Sequence, residues 1–274
     1  MRTAAVIGRP IAHSLSPVIH TAWLEVAGID ARYVALSPED RDGLFGLLDE
    51  QRNGTLVGCN VTAPYKGDAF DWAHRNGADI GPEALAAGSV NLLVLDGDVR
   101  ADSTDGVGMI GAIREQARGV DLGSGVAVVL GAGGAARAAV HALRAEGARE
   151  IRVVNRTVAR AENLASGFDS CVSAWSLADV AAALDGSHLL INAASSMDPP
   201  DLAPMAAGGA VLDMTYRPLV TPLLARALAR GLTPVDGLAM LIGQARPSFE
   251  ALFGQTPPAI DVRGLCLKAL ESKA

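Results

Sequence analysis

The chain has 274 residues, half of them apolar, which is enough for two domains of ordinary size with a core in each. Its formal net charge of -7, with no basic run, removes the long-range attraction that sequence-independent nucleic-acid binding needs, so no nucleic-acid partner is expected. No apolar stretch reaches the ~18 uninterrupted residues of a membrane span, and the run before Gly8 and Pro10 falls far short of a signal peptide's apolar core, so no membrane partner and a cytoplasmic chain are expected.

Residues 3–8 read as a strand, after which Ser16 offers an N-cap hydroxyl and Pro17 a first helical position, predicting a helix over 17–27. Residues 31–36 alternate like a strand, Ser37-Pro38-Glu39-Asp40 repeats the capping pattern, and 55–61 is a further apolar strand. A helical patch covers 65–72. Strands at 89–95 and 98–102 then flank Asp96-Gly97, a hairpin signal, and the first domain is expected to end at residue 105.

Apolar positions recur at helical spacing over 106–118, and a glycine-rich joint leads into strands expected at 126–130, 151–155, 170–174, 188–192, 210–213 and 233–235. Helical patterns fall between most of them. That alternation predicts a doubly wound parallel sheet over 106–238. Two closing helices, 238–253 and 260–271, have no strand after them and are expected to return to the first domain, so that 239–274 completes residues 1–105.

The strand at 126–130 runs into Gly131-Ala132-Gly133-Gly134-Ala135-Ala136, a Gly-x-Gly-x-x-Gly/Ala loop with a strand before it and a helix after it. Gly131 suits the tight turn, Gly133 lets backbone approach a pyrophosphate, and Ala136 permits close helix packing, while free amides at the helix start face the diphosphate. At the tip of the next strand, where an NAD enzyme carries an acidic residue, stand Asn155-Arg156-Thr157, with Arg160 one turn on. An arginine donates charge-assisted hydrogen bonds to a 2′-phosphate that a carboxylate would repel, so the expected cofactor is NADP (NADPH).

Hydride transfer to a ketone builds an alkoxide and needs a proton donor. Asn60, Thr62 and Lys66 follow a strand at its carboxyl end, where open α/β sheets bind ligands. The other two lysines, Lys268 and Lys273, lie in the C-terminal segment, and arginine cannot release its proton, which singles out Lys66 as a titratable candidate against the alternative of a surface lysine. No histidine pair has zinc-type spacing, His13 reads as ordering its own turn, and Cys59, Cys171 and Cys266 are too far apart to clamp a metal, so no metal is expected.

These motifs occur in an order that resembles the shikimate dehydrogenase family: Gly8 to Pro17, Asn60 to Lys66, Ser103-Thr104-Asp105, Gly131 to Ala135, Asn155 to Thr157 and Gly237 to Gln244. The resemblance spans residues 6–253. It implies an α/β protein with an N-terminal substrate domain on a mixed sheet, a Rossmann-type NADP domain, and reversible reduction of 3-dehydroshikimate to shikimate with NADPH. Position by position, it implies that Ser14, Ser16 and Tyr216 hold the substrate carboxylate, and that Asn60, Thr62, Asn91 and Gln244 meet ring hydroxyls and carboxylate. Lys66 would be the acid or base, with Asp105 binding the same hydroxyl and orienting the amine. Ser195, in Asn192-Ala193-Ala194-Ser195, together with Met214, Gly237 and Met240, would lie near the cofactor, the last three around the nicotinamide.

Three positions depart from the family pattern: Ser103 for an asparagine, Leu92 for a threonine and Ala194 for a threonine. A site built on hydrogen bonds discriminates by which hydroxyl finds a partner, so quinate or a related cyclohexane polyol acid stands as the alternative substrate. A non-catalytic dinucleotide-binding sensor is a third reading, but it would have no use for Lys66 beside Asp105. The assembly is left open, a homodimer included.

Overall fold

In a computed structural model, residues 1–52, 54–194 and 197–272 are described. Strand β1 (Arg2–Ile7) lies between β2 (Ala31–Leu36) and β3 (Leu56–Val61), both parallel to it, with α1 (Ser16–Ala27) and α2 (Arg41–Gln51) as the connections. After α3 (Lys66–Arg75), the short β4 (Asp79–Ile80) and α4 (Pro82–Ala87), the chain reverses. Strand β5 (Leu92–Val94) runs antiparallel to β3 and pairs with β6 (Arg100–Asp102), also antiparallel. The turn between them contains Gly97 at φ +87°, a left-handed conformation that glycine adopts without steric cost. The result is a mixed sheet of order β2-β1-β3-β5-β6-β4.

This sheet belongs to a compact unit of residues 1–104 and 241–274. One of its faces is sealed by Ala5, Ile7, Cys59, Val61 and Leu93 against Leu44, Leu48 and Trp72. The C-terminal helices join it: α11 (Val262–Glu271) lies against α1, and Phe249 of α10 (Gly237–Phe253) meets Trp23 of α1 edge-on at 5.5 Å. Such a ring pair adds about 0.5–1.5 kcal/mol beyond the area it buries.

Residues 105–240 form the second unit. It comprises α5 (Asp105–Gln116), β7 (Val126–Leu130), α6 (Gly134–Ala145), β8 (Glu150–Asn155), α7 (Val158–Ala165), β9 (Val172–Ser176), α8 (Val180–Leu184), β10 (Leu189–Asn192), β11 (Ala210–Asp213), α9 (Pro222–Ala229) and β12 (Thr233–Val235). All six strands are parallel, in the order β9-β8-β7-β10-β11-β12. This is the doubly wound arrangement, whose direction of growth reverses between β7 and β10. Alternate residues of β7 feed opposite cores, Ala127 and Val129 on one face, Val128 and Leu130 on the other, which is why the strand reads as an unbroken apolar run.

Three local expectations change. Ser16 is not the N-cap of α1: the helix begins at Ser16 itself, Leu15 precedes it without a side-chain cap, and Ser14 Oγ accepts from the Ser16 amide at 3.3 Å. The strand expected at 170–174 is shifted to Val172–Ser176, because Asp169 turns the chain by accepting from the Cys171 amide with its side chain and from the Val172 amide with its carbonyl. The strand expected at 89–95 shrinks to Leu92–Val94, since the Ser89 and Val90 amides turn to the carbonyls of Ala84 and Lys66. Helix α2 is capped by Asp40, the last residue of the Ser37-Pro38-Glu39-Asp40 pattern, which accepts from the Gly43 amide at 2.8 Å.

Candidate functional site

One edge of the first unit's sheet gathers the polar candidates. The register Val6↔Asn60, Asn60↔Leu92 and Leu92↔Asp102 puts the carboxyl ends of β1, β3 and β6 together with the entry to the antiparallel β5. Asn60 and Asn91 therefore meet although 31 positions separate them, and Thr62 follows β3 directly. Gly8 is required here: a Cβ on it would stand 2.4 Å from Thr62 Cγ2. Ser14 and Ser16 follow β1 in sequence, and the loops after β1 and β3 are laced by Thr62 N to Ile7 O at 2.8 Å and Arg9 N to Ala63 O at 3.1 Å. Lys66 is the first residue of α3, half-buried, and its carbonyl accepts from the Val90 amide at 2.9 Å.

At this edge a closed set of side-chain hydrogen bonds forms. Asn60 Nδ2 donates to Asn91 O at 3.1 Å and to Ser248 Oγ at 2.9 Å, and Asn60 Oδ1 accepts from Tyr33 Oη at 2.7 Å. Asn91 Nδ2 donates to Gln244 Oε1 at 3.0 Å and to Thr104 Oγ1 at 3.0 Å, and its Oδ1 accepts from the Thr104 amide at 2.8 Å. Sequence reasoning named Asn60, Asn91 and Gln244 but missed Tyr33, Thr104 and Ser248. Ser248 carried one available signal, its place four residues after Gln244 on the same helix face.

Behind the polar edge the groups are held neutral. His20 is stacked on Tyr33, centroids 4.1 Å apart, and burial lowers its pKa to about 3. Burial raises the Tyr33 phenol well above its ordinary range, with Cys59 adding to the shift, and pushes the Cys59 thiol up to about 12. Asp102, next to the edge, is raised by partial burial against the opposing pull of the Ser103 amide. The Ser103 hydroxyl, where the family pattern has an amide, is buried without a hydrogen-bond partner among the described residues.

In the second unit the glycine loop lies at the switch point of the sheet. Gly131 has φ +107°, and a Cβ on it would press at 3.3 Å on the Ala193 carbonyl and the Ala194 amide, so only glycine fits. Gly133 is the N-cap of α6, and a Cβ there would meet nothing within 4 Å, leaving open approach to backbone. Gly134 and Ala135 begin the helix without a side-chain cap, so the first-turn amides of α6 are free of one. A cavity of about 610 Å³ is lined by Gly131, Ala132, Gly133, Asn155, Arg156, Thr157 and Arg160. Thr157 precedes α7 and Arg160 stands in its first turn, with Asn155 Nδ2 tying the segment by donating to Thr157 O at 2.9 Å. A turn at Gly131 that cannot bear a Cβ, open backbone at Gly133, an uncapped helix start and two exposed arginines around one cavity fit a phosphorylated dinucleotide.

The other candidates of this unit are placed as follows. Asp105 opens α5 and is 1% exposed, at the end of the helix where the dipole is positive. Tyr216 and Met214 follow β11, both half-buried. Gly237 begins α10 so close to that segment that a Cβ would stand 2.6 Å from Met214 O and 2.7 Å from Thr215 O. Met240 is buried in the core, with Met214 packed against the same cluster. Ser195 lies outside the described residues. Sequence reasoning missed Asp213: its buried carboxylate accepts from Asn192 Nδ2 at 3.1 Å, the Thr215 amide at 3.0 Å and Thr221 Oγ1 at 2.7 Å, tying together the carboxyl ends of β10 and β11.

Comparison with known proteins agrees with this picture. The family model for the shikimate dehydrogenase substrate binding domain matches residues 6–93, and that for shikimate / quinate 5-dehydrogenase matches residues 114–202. A shikimate dehydrogenase (NADP(+)) of Caulobacter vibrioides is 48% identical over 275 residues, covering 97% of this chain and 94% of that protein. The crystal structure of shikimate 5-dehydrogenase from Thermus thermophilus in complex with NADP(H) and shikimate is 34% identical, with a TM-score of 0.83 over 100% of both chains. A quinate dehydrogenase from Corynebacterium glutamicum in complex with NAD, 24% identical, shares the fold with a TM-score of 0.84 over 99% of each chain. With two family models matched in chain order and 48% identity along nearly its whole length, this chain belongs to the shikimate dehydrogenase family.

Proposed function

We propose that the chain interconverts 3-dehydroshikimate and shikimate reversibly with NADP, a step of the shikimate pathway to aromatic amino acids. Residues 1–105 with 239–274 serve as the substrate-binding and catalytic domain, and 106–238 as the dinucleotide-binding domain. The observation that carries the reading is the polar edge of the first sheet, where a half-buried lysine opens a helix beside a cluster of amides suited to a polyol. Bound NADPH supplies the hydride, and NADP+ accepts it in reverse.

In the direction of reduction, the Lys66 ammonium gives its proton to the carbonyl oxygen as that oxygen becomes a hydroxyl; in reverse the amine takes the hydroxyl proton. Asp105 accepts a hydrogen bond from the same hydroxyl and orients the amine. Ser14 and Ser16 donate to the substrate carboxylate, with Tyr216 as a third donor. Thr62, Asn60, Asn91 and Gln244 face the ring hydroxyls. Gln244 Oε1 is already committed to Asn91, so Gln244 offers its Nε2 hydrogens to a ligand oxygen. Arg156 and Arg160 receive the 2′-phosphate, Gly131 to Ala135 the pyrophosphate, and Met214, Gly237 and Met240 border the nicotinamide site. Its three thiols are all free, which suits a reducing cytoplasm.

The test is direct. Purified protein with shikimate and NADP+ should generate NADPH absorbance, and silence from folded protein at high concentration overturns the reading. A second substrate, quinate, is favoured by the unpartnered Ser103 hydroxyl, which has lost the donors and acceptor of an amide. The ratio of kcat/KM for shikimate and quinate decides between them.

A further inference from the structure

We propose that Tyr33 and Ser248, neither of which touches ligand in the reaction described above, are positioning residues that hold the Asn60 amide in the one orientation that spends both Nδ2 hydrogens within the network and leaves Oδ1 to accept from a substrate hydroxyl. The proposal rests on the functional reading given in the previous subsection.

The orientation of each amide follows from which of its neighbours can only accept or only donate. Asn91 O is a carbonyl and cannot donate, so the group of Asn60 that faces it at 3.1 Å must be Nδ2. Asn60 Oδ1 then faces Tyr33 Oη at 2.7 Å, and the phenol must be the donor. Burial keeps that phenol protonated. Ser248 gives its hydroxyl hydrogen to Gln244 O at 3.0 Å, one turn back on α10, which leaves its oxygen to accept the second Asn60 hydrogen at 2.9 Å. On the other side, the Thr104 amide can only donate, so Asn91 Oδ1 must face it, and Asn91 Nδ2 is turned toward Gln244 Oε1. Ser248 thus meets only the main-chain carbonyl of Gln244, while Asn91 fixes the Gln244 side-chain oxygen.

The ring Asn60, Asn91, Gln244, Ser248 closes on itself, joining β3, the entry to β5 and α10. Tyr33, from β2, is its lock. Turning the Asn60 amide over would set its oxygen against the Asn91 carbonyl, and without the Tyr33 hydroxyl the correct orientation loses its matching partner. Tyr33 is 5% exposed and Ser248 is 0% exposed, so both act through the residues they hold.

The experiment compares Tyr33→Phe and Ser248→Ala with the unmodified chain, each alone and on an Asn60→Ala background, reading kcat and both KM values. Each single variant loses one neutral hydrogen bond, so KM for shikimate should rise about twofold to tenfold, while KM for NADP and kcat stay within about twofold. On the Asn60→Ala background neither substitution should raise KM for shikimate further, because both act through the missing amide. Unchanged KM for shikimate in both single variants overturns the proposal, as does a loss confined to kcat, which marks a smaller active fraction. A further rise on the Asn60→Ala background overturns it as well. If Ser248→Ala does not fold, Tyr33→Phe with its Asn60→Ala partner decides alone. An unmodified chain that shows no shikimate-dependent NADP reduction overturns the functional reading first, an outcome distinct from every variant result.

Discussion

The two units hold a small charged molecule with different materials. In residues 105–240 the candidate surface is mostly backbone: a tight turn at Gly131 with no room for a Cβ, open backbone at Gly133, an uncapped helix start, and arginines on the rim. In residues 1–104 with 241–274 it is mostly side chain, a set of amides and hydroxyls whose directions depend on one another. Backbone recognition tolerates any neighbouring side chain that keeps the path of the chain, whereas a side-chain network is sensitive to the loss of a single atom. The cofactor half should therefore fail by strain, and the substrate half by loss of orientation.

The sharpest break of that comparison is at Lys66, which belongs to neither scheme because its proposed role is to pass a proton. Lys66→Ala should lower kcat with shikimate by roughly 10²- to 10⁴-fold while circular dichroism stays native, and near-normal turnover would remove the residue from its role.

A smaller effect tests the neutral backing of the substrate half. His20 has its folded pKa lowered to about 3 from 6.5, so between those values the unfolded chain binds a proton that the folded chain refuses. Its contribution to stability is complete above pH 6.5 and is lost as pH falls through that window, at about 1.4 kcal/mol per unit. His20→Phe keeps a ring against Tyr33 but cannot titrate, so its denaturation midpoint should fall less steeply than wild type between pH 6.5 and 4.5. Parallel slopes for the two proteins would sink the assignment.

On the cofactor side, Arg160→Ala removes one charge-assisted contact, worth about 1.5–3 kcal/mol. KM for NADP should rise roughly tenfold to hundredfold with KM for NAD little changed, and equal losses for both cofactors would show that Arg160 does not read the 2′-phosphate.

The smallest effect separates the two kinds of glycine. Gly237→Ala puts a Cβ 2.6 Å from a backbone oxygen, where nothing can swing aside, and should cost about 1–3 kcal/mol in urea unfolding. Gly133→Ala meets open space and should leave stability near wild type while weakening NADP binding. Equal stability losses in the two variants would erase the distinction.

Much of the second unit was legible because its signals are local. The strand-loop-helix at 126–145, the Asn155-Arg156-Thr157 tip and the alternation of strands each lie within one short window, and the sheet order follows from the connectivity rules of such folds. In the first unit the motif residues were legible and their partners were not. Asn60 and Lys66 announce themselves after an apolar strand, but nothing near residue 33 or 248 signals a hydrogen bond to Asn60. The Ser16 cap failed for a local reason: the helix begins at Ser16 itself, whose own amide is met by Ser14 Oγ.

By itself, then, the sequence determined the α/β class, the glycine loop, the two arginines that line the cavity beside it and the order of the family motifs, all of them contiguous patterns with a fixed period or spacing. Only the tertiary structure decided that Tyr33, Thr104 and Ser248 complete the substrate-side network and that Asp213 ties β10 to β11. The physical reason is that a hydrogen bond is set by direction and distance at a point in space. Residues 27 or 188 positions from Asn60 reach that point only after strands have paired and a helix from the far end of the chain has docked.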